Sequence, residues 1–268
     1  IAGGVENMTR GPWVISKVSK PFGRDAAMHD SSFGWRFINP KMKELYGTEG
    51  MGQTAENLAE KYNINREDQD LFAYNSQMKA LKAQKNGRFE KEIVTVEIPQ
   101  RKKDPIIFCQ DEFIKPNTSL EILSKLRTVF KKDGTVTAGN ASGLNDGAAA
   151  MLLASEKGVQ ENKLKPIAKI ISSAVVGVEP RIMGIGPVKA SEKALKKAGL
   201  KMEDIDIIEL NEAFSAQALA CIREWGLEDH DERINPNGGS IALGHPLGVS
   251  GTRILQTAAI ELQKNNKK

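Results

Sequence analysis

The segment Asn235-Pro-Asn-Gly-Gly-Ser-Ile-Ala-Leu-Gly-His-Pro-Leu-Gly-Val-Ser-Gly251 holds His245 between Gly244 and Pro246, with five glycines around it. Packing alone is a poor reason for a histidine in such a setting, because small and rigid neighbours expose a ring rather than bury it. An imidazole with an ordinary pKa of about 6.5 can serve as a base or donate a hydrogen bond to a forming oxyanion. Metal ligation is a third use. The other histidines, His29 and His230, lie in polar, loop-like sequence and read as surface residues, and no Cys/His pair has zinc spacing. No metal site is expected.

Two further segments could carry chemistry. Thr135-Val-Thr-Ala-Gly-Asn-Ala-Ser-Gly-Leu-Asn-Asp-Gly-Ala-Ala-Ala150 combines small residues, which let backbone approach a ligand, with hydrogen-bonding Asn140, Ser142 and Asn145. The competing reading is a tight turn leading into a close-packed helix. Asn211-Glu-Ala-Phe214 follows an apolar stretch, and the carboxyl end of a strand is where α/β proteins place ligands. Here the competing reading is that Asn211 only caps a helix. Cys109 follows Ile-Ile-Phe in a loop and Cys221 falls inside a helical stretch, so both read as small structural hydrophobes.

The elements that must position these groups can be traced by periodicity. Residues 1–50 read as loop with short elements. From Thr54, Leu58 and Tyr62 share a helical face. Asn65 with Asp68 resembles a capping pair opening a helix that carries Leu71, Phe72, Met78 and Leu81 and stops at Gly87. A strand is predicted over 92–98, ending before Pro99, and an exposed loop over 100–116 that includes the basic Arg101-Lys-Lys103. The second half reads as buried strand from the small apolar run 148–154 and the β-branched run 167–178, helix over 188–198, strand over 205–210, helix over 212–225 and a last helix over 250–262. That alternation argues an α/β class with a mixed or parallel sheet. A change of character near Lys163 to Pro166 is the expected boundary, giving domains 1–163 and 164–268.

Composition narrows the class. With 268 residues, 40% hydrophobic and 27% charged, the chain can bury a core, and collagen-like or disordered classes are excluded. No apolar run approaches the roughly 18 residues of a membrane helix, so no membrane partner is expected. The 38 basic against 34 acidic residues leave a net +4, too small to argue for nucleic acid, and the basic runs lack interleaved aromatics. Two cysteines cannot build a disulfide framework, so a reducing, cytoplasmic setting is expected. No Gly-x-Gly-x-x-Gly leads a strand into a helix with an acidic residue about 20 positions on, which weakens a dinucleotide-binding reading. The chain opens on Ile1-Ala-Gly-Gly and closes on Lys-Asn-Asn-Lys-Lys268, as a processed product or an internal piece would.

Taken together, Asn211-Glu-Ala-Phe214 and Gly238-Gly-Ser-Ile-Ala-Leu-Gly-His-Pro-Leu-Gly-Val-Ser-Gly251 resemble the thiolase family. Gly139-Asn-Ala-Ser-Gly-Leu-Asn-Asp-Gly147 resembles its coenzyme A segment, and Ala2-Gly-Gly-Val-Glu-Asn-Met8 a stretch just past its nucleophile. His29-Asp-Ser-Ser-Phe-Gly-Trp-Arg-Phe-Ile-Asn-Pro40 and Arg181-Ile-Met-Gly-Ile-Gly-Pro187 are most similar to the 3-oxoadipyl-CoA thiolases of aromatic catabolism. The resemblance implies a layered α/β/α/β/α fold, truncated at both ends, with a loop domain inserted at about 24–127. It implies an acyltransferase that cleaves a 3-oxoacyl-CoA with coenzyme A to acetyl-CoA and a shortened acyl-CoA through a cysteinyl thioester. Coenzyme A is a co-substrate and no prosthetic group is implied. Fatty-acid 3-ketoacyl-CoA and acetoacetyl-CoA substrates, or a non-catalytic CoA binder, are the alternatives.

By the same resemblance His245 activates the nucleophilic thiol and lines an oxyanion hole, and Asn211 holds a water there. Ser142 meets the pantetheine amides with Ala138 close by; Met183 and Phe214 line the pantetheine tunnel, Met51 the acyl end, and Lys115 approaches the nucleotide phosphates. Homodimers or homotetramers are usual in the family. The sequence departs from it in one respect: the Cys-Gly-Ser-Gly-like nucleophile segment and the later Cys-x-Gly segment are absent, and neither Cys109 nor Cys221 has matching neighbours. The expectation is a fragment inactive by itself, with a first half weakened by strands that lack partners.

Overall fold

The computed structural model describes residues 1–32 and 34–267; Phe33, within the His29–Pro40 stretch, and Lys268 lie outside the described residues. The core is helical. The helix Ser215–Glu224 runs through it, and every residue from Ser215 to Ile222 is buried. Ala216, Ala218 and Ala220 favour helix and let neighbouring backbones come close. In chain order the elements are β1 (Ala2–Glu6), β2 (Trp13–Ile15), β3 (Met28–Asp30), α1 (Pro40–Tyr46), α2 (Met51–Lys61), α3 (Arg66–Lys85), β4 (Val96–Ile98), β5 (Ile106–Phe108), α4 (Leu120–Ser124), β6 (Gly147–Met151), α5 (Glu156–Glu161), α6 (Gly186–Ala198), α7 (Ser215–Glu224), α8 (Ser240–Leu243) and α9 (Leu247–Asn265). A 3-10 turn at Pro180–Ile185, with α2, α3 and α6, packs against α7. Leu58, Phe72, Val136, Leu219, Ile222 and Ile241 fill the space between them. Each such side chain contributes roughly 1.5–3 kcal/mol by leaving water.

Local signals account for the helix ends. Asn65 Oδ1 accepts from the Asp68 amide at 2.7 Å and caps α3, whose first turn holds Glu67 and Asp68 and whose last holds Lys82 and Lys85, complementing the helix dipole. Gly87 follows in the left-handed region at φ 66°, where the sequence places the stop. Helix α6 ends at Gly199 in the same way.

The sheet departs from expectation. Among the described residues the ladders are three antiparallel pairs, β1–β6, β2–β3 and β4–β5. Among the described residues, parallel pairing is seen in an isolated bridge between Ile208 and Ile234. The strand predicted over 205–210 is therefore reduced to that bridge. The β-branched run 167–178 forms no strand: it is extended, with Ser172, Ala174, Val176 and Val178 half-buried in alternation. Its polar backbone atoms meet side chains of α6, where Lys193 Nζ donates to the Val175 carbonyl and Lys197 Nζ to that of Ser173. A period-2 pattern specifies an extended chain, but a ladder also needs a neighbour. The strand expected at 92–98 shortens to β4, and its partner β5 lies inside what was read as loop. The helix predicted from 212 begins at Ser215, and Thr135–Ala150 leads into strand β6 rather than a helix. The β1–β6 ladder carries α9 on one face, with Glu6 Oε2 accepting from the Gly248 amide at 2.9 Å.

Candidate active site

The approach to His245 is built by three turns. Gly244, at φ 89°, turns the chain from α8 to α9, and Pro246 caps α9 from its extended conformation. The side chain of Asn145 occupies the space a Cβ on Gly244 would need, and its Oδ1 accepts from the His245 amide at 3.3 Å. The second loop and the histidine loop are thus in direct contact. The third turn, Asn211–Phe214, meets the second through an antiparallel bridge between Ala141 and Phe214. Ser142 tightens that junction, donating from both its amide and its hydroxyl to the Ala213 carbonyl, each at 3.0 Å.

Hydrogen bonding fixes the imidazole. Nδ1 lies 2.6 Å from Ser250 Oγ, while that hydroxyl faces the Pro246 carbonyl at 3.1 Å. A hydroxyl has one proton; given to Pro246, it leaves Oγ to accept from Nδ1–H. The neutral ring then carries its lone pair on Nε2, which faces Asn211 Nδ2 at 3.3 Å. Asn211 is oriented in turn, since its Oδ1 accepts from Ser240 Oγ at 2.5 Å, so its amide nitrogen points at the ring. Burial lowers the pKa of His245, and the positive charge of Arg253 lowers it further. The result is a half-buried, neutral imidazole with a directed lone pair beside an amide donor. That pair can take a proton from an acidic group and stabilise a nearby oxyanion.

Asn211 does not cap α7, since the helix starts four residues later with Phe214 at the cap position. The turn is held from below by Glu212, which is fully buried. Its carboxylate accepts from Ser76 Oγ at 2.6 Å, Asn235 Nδ2 at 2.7 Å and the Ile241 amide at 3.2 Å. Desolvation raises its pKa, and these bonds oppose the rise. Asn235 also spans the Leu210 backbone, accepting from its amide and donating to its carbonyl.

The remaining expected residues fall into two groups. Phe214 stands edge-on to Phe130, with ring centres 6.1 Å apart, and the Phe130 ring fills the space beside Gly52, next to Met51. Met183 lies on the 3-10 turn that packs against α2, so Met51, Met183 and Phe214 belong to one neighbourhood. Met51 and Met183 are each about half exposed, at 46% and 48%. Lys115 is exposed, with Nζ 4.6 Å from the centre of the Phe113 ring, and that ring packs on Gly143 beside Ser142. Ala138 is an exposed turn residue before Gly139. No hydrogen bond joins Met51, Met183, Lys115 or Ala138 to His245 or Asn211 among the described residues.

Sequence reasoning missed Ser240, Ser250, Glu212 and Phe130. The two serines stand inside the same glycine-rich run as His245, and their types already offered hydroxyls. Phe130 carries no local signal. Cys221 is buried and donates to the Gly184 carbonyl, and burial pushes its thiol up to about 12. It is structural as expected, whereas Cys109 is exposed and does not pack, because the β4–β5 hairpin before it is itself exposed. Among the described residues no group of three or more His, Cys, Asp or Glu is arranged to hold a metal, and no helix is long and apolar enough to cross a membrane.

The fold and the site together define a class. Residues 1–157 match the thiolase N-terminal domain and residues 164–268 the thiolase C-terminal domain, and the chain belongs to the thiolase family. It is 56% identical over 268 residues to a beta-ketoadipyl-CoA thiolase of Acinetobacter baylyi, covering 100% of this chain and 67% of that one. It is 51% identical over 266 residues to a 3-oxoadipyl-CoA/3-oxo-5,6-dehydrosuberyl-CoA thiolase of Escherichia coli, covering 99% of this chain and 66% of that protein. The crystal structure of human mitochondrial 3-ketoacyl-CoA thiolase in complex with CoA superposes with a TM-score of 0.88 at 43% identity, over 99% of this chain and 64% of that one. The α/β fold is therefore that of the thiolases, and the chain spans about two thirds of the length of these relatives.

Proposed function

We propose that the chain supplies the histidine and asparagine side of a thiolase active site, for cleavage of a 3-oxoacyl-CoA by coenzyme A to acetyl-CoA and a shortened acyl-CoA. The observation that carries this is the Asn211–His245 pair at 3.3 Å with Nδ1 anchored on Ser250. Such a ring can deprotonate a thiol near neutral pH, and the amide beside it can hold a water or an oxyanion. The thiol itself is neither Cys109 nor Cys221: one is exposed and has no bond to His245 or Asn211 among the described residues, and the other is buried in α7.

The best substrate is 3-oxoadipyl-CoA, on the strength of the names carried by relatives at 51–56% identity. A fatty-acid 3-ketoacyl-CoA is the second reading, favoured by the human structural neighbour. Ser142 would face the pantetheine with lone pairs its bond to Ala213 leaves free, with Ala138 at the mouth, Met183 and Phe214 along the tunnel, Met51 toward the acyl group and Lys115 toward the phosphates. On this reading residues 1–163 belong to an amino-terminal half with a loop domain at about 24–127, residues 164–268 to a carboxyl-terminal half, and the assembly is a cytoplasmic homodimer or homotetramer.

The test is calorimetric titration of the chain with coenzyme A, beside an assay of thiolysis. Coenzyme A is expected to bind, and Phe214→Ala to weaken it about tenfold, roughly 1.4 kcal/mol. Thiolysis of 3-oxoadipyl-CoA by this chain alone is expected to stay at background. Turnover would overturn the assignment of the thiol step to residues outside it. Tighter binding of the carboxylate-ended ester than of a fatty-acyl ester of equal length separates the two substrate readings.

A further inference from the structure

Two consecutive residues of the Asn211 turn meet two consecutive residues of α8. Asn211 Oδ1 accepts from Ser240 Oγ at 2.5 Å, and Glu212 Oε2 accepts from the Ile241 amide at 3.2 Å. Helix α8 is followed by Gly244 and then by His245. This clamp therefore joins the two halves of the site, with the amide on one side and the imidazole on the other. A third element closes it. Ser76 on α3 donates its hydroxyl to Glu212 Oε2 at 2.6 Å and accepts from the Gly239 amide at 3.1 Å. The amides of Gly239 and Ile241, at the start of α8, are thus both taken up by Ser76 and Glu212. Packing leaves no play, since a Cβ on Gly239 would stand 2.2 Å from the Glu212 carboxyl carbon.

We propose that Glu212 is a positioning residue for the Asn211–His245 pair, and that the position requires a carboxyl group, for which the isosteric amide cannot stand in. A buried carboxyl is expensive to desolvate, and an apolar side chain would seal the turn at less cost. What the carboxyl supplies is two acceptor oxygens, each facing a donor of fixed direction. On Oε1 that donor is Asn235 Nδ2 at 2.7 Å, and Asn235 cannot turn over because its Oδ1 accepts from the Leu210 amide at 2.8 Å. On Oε2 it is the Ile241 backbone amide, which can only donate. A glutamine has one amino group, and either orientation sets it against one of these two donors.

The clamp acts through its neighbours in the chain. Asn211 precedes Glu212, and Ser240 precedes Ile241, so the bond between Glu212 and Ile241 fixes where Asn211 Oδ1 meets Ser240. That contact turns Asn211 Nδ2 toward the ring and sets its 3.3 Å approach to His245 Nε2. Support of this kind is what holds two reacting groups in register. Glu212 itself makes no hydrogen bond to His245 among the described residues. The inference rests on reading Asn211 and His245 as the working pair of the site, but its test reads their contact directly and needs neither coenzyme A nor turnover.

The experiment is NMR of the unliganded 268-residue chain, reading the nuclear Overhauser effect between the Asn211 side-chain amide protons and the proton on His245 Cε1. E212Q is expected to cut that intensity about twofold or more, as a slip of roughly 0.5 Å would. L219A, which weakens the same core without touching the clamp, is expected to keep it. An intensity unchanged in E212Q, or lost equally in L219A, overturns the proposal. Should E212Q fail to fold, S76A decides instead. It removes one donor to the carboxyl and the acceptor of the Gly239 amide, touches neither Asn211 nor His245, and is expected to lower the same signal by a smaller factor. An unchanged signal in S76A overturns the proposal as well. Failure of the chain to bind coenzyme A would count against the proposed function and leave this contact, measured without ligand, as it stands.

Discussion

Two regions with similar apolar content behave differently. Around α7 and α8, Leu219, Ile222 and Ile241 are sealed among helices of the same chain, and His245, Asn211 and Glu212 find hydrogen-bond partners there. Along β6 and the extended run 167–178, Leu152, Leu153, Ile170, Ile171 and Val175 stand open, each more than half exposed. The difference lies in neighbours, not in hydropathy. A helix satisfies its own backbone and needs only one face covered, whereas an extended segment needs a strand beside it and cover above it.

The comparison is broken most directly by truncating one side chain in each region. Leu219→Ala is expected to cost about 2–5 kcal/mol, because a sealed site keeps the cavity it is given. Ile170→Ala is expected to change stability by no more than about 0.5 kcal/mol. Urea unfolding of both variants measures this. Equal losses would mean that the open segment is covered in solution.

Acid and base divide two carboxyls, that of Glu261 on α9 and the buried one of Glu209 just before Asn211, in the same way. Glu261 is buried, which alone would raise its pKa, but bonds from Arg88, Asn237 and Asn265 outweigh that and hold it down to about 2. Its stabilisation is present above the ordinary carboxyl value of 4.5 and is lost as pH falls toward 2. Glu209 has the opposite sign. With a folded pKa of about 8, it favours the folded state below 4.5 and withdraws that favour as pH rises to 8. The expected profile falls on both sides, and E209Q flattens the alkaline limb, by an amount on the order of 5 kcal/mol, while leaving the acid limb in place. Thermal unfolding across pH 3–9 reads it; an alkaline limb unchanged in E209Q would assign that limb to another group.

How far this was legible in the sequence follows from the same contrast. The caps of α3 and α6, set by Asn65, Gly87 and Gly199, are local and were readable. His245 stood out because Gly244 and Pro246 are local signals too. The strand over 205–210 and the ladder over 167–178 were not decidable, since pairing is a fact about distant chain. The Asn145–Gly244 and Ser142–Ala213 contacts, which join three turns into one site, span 99 and 71 residues, distances at which no period reaches. The motif resemblance could name the residues, but the direction of the imidazole came only from Ser250 and Ser240.

That direction is the finest point on which the site can be tested. Ser250→Ala removes the acceptor of Nδ1–H and leaves a buried donor unpaired, at a cost of about 1 kcal/mol. The loss of stability is small beside the core truncation, and it is not the informative readout. With Ser250 present, the nitrogen shifts of the neutral ring are expected to report one tautomer with the proton on Nδ1. Without it, the ring hydrogen bond that remains among the described residues is the Asn211 amide at 3.3 Å from Nε2. That donor still prefers a bare Nε2 but has no help from the other side, so the neutral ring is expected to become a mixture. If S250A keeps a single Nδ1–H tautomer, Asn211 alone orients the base, and the serine is a helix residue that happens to lie close.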